Sequence, residues 1–180
     1  MNIQVHDKIF SPYLSETQIK TRIVELGAQL NDFYSNKNPL LLPILNGSFI
    51  FAADLVRELT ISPDIQFVKI SSYGNEMEST KKINSIFGLD NLQIEGQHIL
   101  IIEDIVDSGF TVDFLMEYLS KKSPASLKVC ALLYKPDSFK GKHTPDFIGF
   151  TIPSDFVVGY GLDYAQKGRE LSSIYVLAET

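Results

Sequence analysis

Apolar positions along this chain follow two rhythms, one helical and one extended. From Ser15 onward, Ile19, Ile23, Leu26, Leu30 and Phe33 recur at alternating steps of four and three, which places them on one face of an amphipathic helix. Ser15 and Gln18 have the spacing of a capping box at its start. The continuous run Leu40–Leu45 predicts a buried strand, although Pro43 inside it cannot donate a ladder bond and is out of place in a central strand. Asn46-Gly47-Ser48 breaks the run, Phe51–Leu59 resumes a helical pattern, and Ile65–Ile70 predicts a second strand. Ile99–Ile102 is too apolar for an exposed sheet face and belongs in a parallel sheet covered on both sides. A helix over Thr111–Lys121 turns Val112, Leu115, Met116 and Leu119 inward, and Leu127–Tyr134, Phe147–Thr151 and Ile174–Leu177 predict further strands. Ser71–Gly88 is polar, charged and short of core-forming residues, as befits a binding loop or lid that carries at most a weak hairpin. Strands alternating with helices imply one α/β domain over residues 1–180, an open, mostly parallel sheet flanked by helices. Ligands of such sheets bind beyond the carboxyl ends of the strands, here after Leu45, Ile70, Ile102 and Tyr134.

Composition narrows the function. The chain has 22 acidic residues against 16 basic ones, a net charge of −6, which disfavours a protein that coats nucleic acid. A phosphorylated small substrate remains compatible, because backbone N–H groups and a divalent cation can hold it without surplus lysine. No apolar run approaches the roughly 18 residues of a membrane helix, and Met1–Phe10 lacks the layout of a secretion signal. Cys130 has no second cysteine to pair with and lies in an apolar run, so it reads as a small buried hydrophobe. These features together predict a cytoplasmic protein without membrane or nucleic-acid partners.

The chemistry concentrates after Ile99–Ile102, in Glu103-Asp104-Ile105-Val106-Asp107-Ser108-Gly109-Phe110-Thr111. A buried strand brings two adjacent acids to the rim of the sheet, a third acid follows, and a small-residue turn opens a helix. Successive N–H groups in the turn Asp107–Thr111 make a phosphate site at a helix N-terminus. Gly109 permits the positive φ or close approach that such a cradle needs, and Ser108 and Thr111 add hydroxyls. Glu103 and Asp104 suit ribose hydroxyls or a Mg²⁺ ion. Singly, each of these residues reads as a helix cap or a solvated acid; the combination points to a site.

On these residues the chain resembles the type I phosphoribosyltransferase family, and within it the hypoxanthine-guanine branch, from about Pro39 to Leu177. The resemblance implies that family's fold, with a small hood formed by terminal segments, including a base-binding stretch at about 152–180 and a mobile lid at about 71–88. It implies phosphoribosyl pyrophosphate and a 6-oxopurine as substrates, Mg²⁺ as cofactor, and a homodimer or homotetramer. Glu103 and Asp104 match the acidic pair near the ribose, Asp107 the general base at purine N7, and Ser108, Gly109, Phe110 and Thr111 the 5-phosphate cradle, with Ile105 and Val106 leading into it. Leu45, Asn46 and Gly47, with Ser48, match the pyrophosphate loop, where a cis peptide often precedes the second residue. Ser72 and Tyr73 match the start of the lid. Lys135 follows a strand on the ligand rim and, as a donor, suits the 6-oxo group rather than adenine's amino group; taken alone it reads as a solvated lysine. In Ile152–Tyr164, the resemblance assigns Phe156 to stacking on the purine, Val157 to a backbone bond with the ring edge, Asp155 to the substrate pocket, and Asp163 to Mg²⁺ beside Glu103 and Asp104. Arg169 matches an arginine near pyrophosphate. Taken alone, Phe156 reads equally as a core anchor. Phe110 replaces a lysine common in the phosphate loop, Asn46 often appears as lysine, and Gly161 stands where alanine is frequent. Competing readings are the same reaction on xanthine, a regulator of this fold that binds RNA, and an inactive partner-binding domain.

Overall fold

The computed structural model describes residues 1–73, 82–89 and 92–178. A hairpin of β1 (Ile3–Val5) and β2 (Lys8–Leu14) opens the chain, followed by α1 (Glu16–Phe33), β3 (Leu40–Leu45), α2 (Phe49–Arg57), β4 (Asp64–Ile65) and β5 (Val68–Tyr73). Then come β6 (Lys82–Phe87), β7 (His98–Val106), α3 (Phe110–Ser120), β8 (Ser126–Tyr134), β9 (Phe147–Thr151), β10 (Val157–Val158) and β11 (Ile174–Leu177). The main sheet runs in the order β6-β5-β3-β7-β8-β9, with β4 paired to the start of β3. β6 is antiparallel to β5, and the other pairings in this sheet are parallel. The predicted mostly parallel α/β sheet is therefore present, and the weak hairpin expected in 71–88 is β5–β6. The middle of the predicted lid, residues 74–81, lies outside the described residues.

Alternation along the strands separates two cores. Leu41, Leu100, Ile102, Cys130 and Leu132 face α1 and α2, packing with Ile19, Leu26, Leu30, Phe51 and Leu55. Leu40, Leu42, Ile99, Ile101, Val129 and Ala131 face the other way, onto Val112, Leu115 and Leu119 of α3. Both faces are covered, which is why these strands read as continuous apolar runs. Cys130 is fully buried, and burial pushes its thiol up to about 12.

Helix α1 begins as expected. Gln18 N–H donates to Ser15 Oγ at 3.3 Å and Ser15 N–H to Gln18 Oε1 at 2.9 Å, the two halves of a capping box. Its inward face differs in one place: Phe33 is 36% exposed, while Tyr34 is fully buried. Tyr34 N–H still donates to Leu30 C=O at 2.9 Å, and its place four residues after Leu30 keeps it on the inward face, with Phe33 at the edge of that face. The misgiving over Pro43 is also corrected, because β3 is central. Leu41 C=O accepts from Gln66 N–H at 3.0 Å, so residues 41, 43 and 45 turn their backbone polar groups toward β4 and β5. β3 pairs with β4 at Leu41 and with β5 from Ile44, leaving Pro43 opposite the break between them. The predicted strand Ile65–Ile70 is split by that same break.

A second sheet, ordered β1-β2-β11-β10, joins the two ends of the chain into a hood. Phe10 and Val158, both fully buried, form its small core with Val5. Ile174–Leu177 is thus a hood strand, not part of the parallel sheet.

Candidate active site

Strand β7 extends further than its apolar run implied. Beyond Ile102 it continues to pair with β8, Glu103 opposite Ala131, Ile105 opposite Leu133 and Val106 opposite Tyr134. Glu103 and Asp104 are therefore strand residues on opposite sides of the sheet rather than loop residues after it. The ladder carries them past the end of the apolar run, since backbone pairing does not depend on side-chain polarity. Glu103 is 9% exposed and its Oε2 has no hydrogen-bond partner. Burial, reinforced by the charge of Asp104, holds its pKa well above the ordinary carboxylate value. Burial also lifts Asp104 to about 6, against the pull of backbone amides and Arg169. Ile105 N–H donates to Asp104 Oδ1 at 3.0 Å.

The loop after β3 passes directly beneath Asp104. A Cβ on Gly47 would lie 1.6 Å from Asp104 Oδ2, so any side chain there displaces the Asp104 carboxylate. The Leu45-Asn46 peptide is cis. Ser48 is buried and donates its hydroxyl to Ile44 C=O at 2.6 Å, closing the turn into α2.

After β7 the chain turns at Asp107–Gly109 and enters α3. Gly109 is the N-cap with φ +81°, the left-handed conformation expected of it. A cavity of about 90 Å³ is lined by Glu103 and the segment from Ile105 to Val112. The cradle is braced from behind by residues that the sequence pattern did not single out. The Phe139 ring packs so closely on Gly109 that a Cβ there would sit 2.3 Å from it, and Lys140 N–H donates to Ser108 C=O at 3.1 Å. Phe110, in the place of a lysine, is 41% exposed.

Lys135 is not a solvated lysine: it is 5% exposed, and its Nζ donates to Asp107 Oδ2 at 3.2 Å. The proposed base and the proposed reader of the 6-oxo group are thus adjacent. Ser138, just beyond Lys135, shares a 2.6 Å hydroxyl hydrogen bond with Ser154, which ties this loop to the hood segment leading to Asp155 and Phe156. Asp155 is exposed. Phe156 is 42% exposed and is not a core anchor. It meets Phe10 at 6.1 Å and Tyr164 at 5.8 Å between ring centroids, and Lys8 Nζ lies 5.9 Å from its ring centre. Val157 is buried in β10, opposite Val176. Tyr164 donates to Asp7 at 2.9 Å, so the N-terminal hairpin supports the hood's aromatic face. Only the fold brings these N-terminal residues to a segment some 150 positions away.

Asp163 forms an ion pair with Arg169, Oδ1 to Nη2 2.6 Å, and its Oδ2 accepts from Gln166 N–H at 2.8 Å. Arg169 Nη1 donates to Gly161 C=O at 2.7 Å. Gly161 has φ +98°, and a Cβ on it would fall 2.1 Å from Gly47 C=O, so here the departure from alanine lets the hood press on the loop beneath Asp104. Among the described residues no three His, Cys, Asp or Glu side chains gather as a metal nest. Glu103, Asp104 and Asp163 are thus not gathered into one preformed cluster: Glu103 and Asp104 point to opposite sides of a strand, and Asp163 is paired with Arg169. Ser72 and Tyr73 are in β5.

At the carboxyl edge of the parallel sheet lie, together, a turn of backbone amides opening a helix, buried Glu103 and half-buried Asp104, a buried lysine against Asp107 and a glycine loop under Asp104. The family model for the phosphoribosyl transferase domain matches residues 12–165, and the chain belongs to that family. Within it, the chain is similar to hypoxanthine phosphoribosyltransferase of Escherichia coli (strain K12), 45% identical over 163 residues that cover 89% of this chain and 91% of the relative. It is also similar to hypoxanthine-guanine phosphoribosyltransferase of Bacillus subtilis (strain 168), 42% identical over 164 residues and 91% of each chain. Among solved structures, a hypoxanthine-guanine phosphoribosyltransferase of Bacillus anthracis superposes with TM-score 0.87 at 37% identity, covering 93% of this chain and 98% of that one. A hypoxanthine phosphoribosyltransferase of Staphylococcus aureus gives 0.88 at 37% identity, with 93% and 91% covered.

Proposed function

We propose that this protein transfers ribose 5-phosphate from phosphoribosyl pyrophosphate to hypoxanthine, with guanine as a second acceptor, releasing IMP or GMP and pyrophosphate in purine salvage. The observation that carries the reading is the buried Lys135 held 3.2 Å from Asp107, beside the cradle at Ser108–Thr111. A buried donor next to a carboxylate fits a ring that presents an oxo group at position 6 and an acidic N–H close by. Adenine, with an amino group at position 6, would meet Lys135 donor to donor.

In this reading the turn Asp107–Thr111 holds the 5-phosphate through its amides. Glu103 and Asp104 lie along the ribose and favour the positive charge that develops on it as the glycosidic bond forms. Asp107 takes the proton from N7, help worth about 10²–10⁴ in rate, and Lys135 orients the base by its oxo group. Phe156 stacks on the purine, with Asp155 and Val157 at the rim of the same pocket. Leu45, Asn46 and Gly47 contact the pyrophosphate, with Arg169 near it, and Ser72 and Tyr73 begin a lid that excludes water.

Mg²⁺ fits the donor set. Glu103 Oε2 has no partner, and burial outweighs the pull of Arg169 on Asp104, so both acids would gain from a cation, and this ion is commonly held by one or two carboxylates together with substrate phosphates. Glu103, Asp104 and Asp163 would hold it singly or through water together with substrate phosphates, not as one cluster, and once bound it would neutralise charge on the departing pyrophosphate. No helix among the described residues is long and apolar enough to cross a membrane. We place the enzyme in the cytoplasm as a homodimer or homotetramer, as the resemblance to its family implies.

The test is direct. Protein, Mg²⁺ and phosphoribosyl pyrophosphate are mixed with hypoxanthine, guanine, xanthine or adenine in turn, and nucleotide is followed by absorbance. Hypoxanthine turnover is expected, with adenine inert; nucleotide from adenine alone, or from no base, refutes the assignment.

A further inference from the structure

We propose that Asp54 and Tyr160 are a positioning pair that fixes the pyrophosphate loop against the hood, an inference that rests on the transfer reaction assigned above. Asp54 lies outside every segment that the sequence singles out, and Tyr160, though within Ile152–Tyr164, has no role assigned there. Tyr160 is 3% exposed and holds a left-handed backbone, φ 51°. Its phenol donates to Asp54 Oδ2 at 2.5 Å, and its amide donates to Leu171 C=O at 2.8 Å. Asp54 lies on α2, the helix into which Asn46-Gly47-Ser48 leads. The next residue along the hood is Gly161, whose Cα packs on the Gly47 carbonyl, and Gly161 exchanges backbone bonds with Arg169: its N–H donates to Arg169 C=O at 2.9 Å, and Arg169 Nη1 donates to its C=O at 2.7 Å.

Two ties therefore join the same two segments. One is the Gly161–Gly47 contact inside the site, which is short-range and repulsive and sets only a minimum distance. The other is the phenol–carboxylate bond outside it, which is attractive and directional and prevents the segments from separating. Together they fix the spacing between the loop and the Asp163–Arg169 pair. Burial, then the neighbouring Asp54, raise the phenol's pKa, so Tyr160 stays a donor through the physiological range. Lys135 and Phe156 are not held through either tie. The pair therefore governs the pyrophosphate end of the donor substrate and leaves base recognition alone.

Tyr160→Phe removes one hydroxyl from a buried ring. The expected result is a KM for phosphoribosyl pyrophosphate raised about tenfold, the effect of one hydrogen bond to a charged group. The KM for hypoxanthine and kcat should move less than about threefold. Titration of pyrophosphate with Mg²⁺ by calorimetry should weaken by the same factor as the donor KM. Asp54→Ala should match Tyr160→Phe, the double variant should be no worse than either, and Asp54→Asn, which keeps an acceptor, should recover most of the loss. Should Tyr160→Phe fail to fold, the Asp54 variants make the same comparison. Equal rises in both substrate KM values, additive single variants, or unchanged pyrophosphate affinity in folded variants overturn the proposal. A wild-type protein that makes no nucleotide would defeat the assigned reaction instead, and the pyrophosphate titration would still decide the pair.

Discussion

Replacing Asp104 by asparagine should make the protein more stable at neutral pH and nearly inactive. Burial lifts the Asp104 carboxyl from 3.8 to about 6. That shift is about two pH units, each equivalent to 1.36 kcal/mol, so the ionised group costs the folded state up to about 3 kcal/mol at pH 7. Asp104 keeps a partly accessible edge, and solvent there trims the effect to about 1–2 kcal/mol. Asparagine occupies the same volume over Gly47, still accepts from Ile105 N–H, and carries no charge. The sign follows from the raised pKa. The protonated form is favoured by folding, so the stabilisation it brings is complete below about pH 4 and is lost as pH rises through 6. The Asp104→Asn variant should therefore match wild type in urea unfolding at pH 4 and exceed it by about 1–2 kcal/mol at pH 7, while nucleotide formation falls by at least tenfold. A variant less stable than wild type at pH 7, or an advantage equal at both pH values, would refute the reasoning. So would wild-type turnover.

Other substitutions separate the remaining roles. Asp107→Asn should fold normally and bind nucleotide but lose about 10²–10⁴ in turnover, measured under saturating substrates; near-normal turnover removes its role as base. Lys135→Ala should raise the KM for hypoxanthine far more than that for phosphoribosyl pyrophosphate, and unchanged base kinetics would show that the ammonium reads nothing. Because burial pushes the Cys130 thiol up to about 12, native protein at pH 8 should resist thiol-specific reagents and react fully only in denaturant. Rapid native modification would contradict that burial.

The sequence is informative where one element is enough to define a feature. The face of α1, the apolar runs of β3 and β7, and the acid-rich segment ending in a glycine turn are all local, and each appears in the structure near its expected place. Where the structure differs, a non-local partner decides. Glu103 and Asp104 are strand residues because β8 pairs with them, and Pro43 is tolerated because β4 and β5 break opposite it. The hood strands β1 and β10 are only three and two residues long, too short to show a period, and pairing between the chain's ends creates the hood. Contacts such as Tyr160 with Asp54, 106 positions apart, leave no trace in spacing. The resemblance supplied the base-binding residues, since neither Phe156 nor Lys135 stands out by pattern alone.

The meeting of Gly161 with Gly47 also bears on how the molecule is made. The last strand of the main sheet ends at Thr151, so a nascent chain emerging from the ribosome holds every strand of that sheet before it holds a working catalytic corner. The corner needs ten further residues to put a floor under the leaving group, and the closing strand, ending at Leu177, to lock the hood in place. A polypeptide ending at Thr151 would hold those strands yet lack Val157, Tyr160, Leu162 and Ile174 from the core under α1 and α2, so scaffold and hood are completed together.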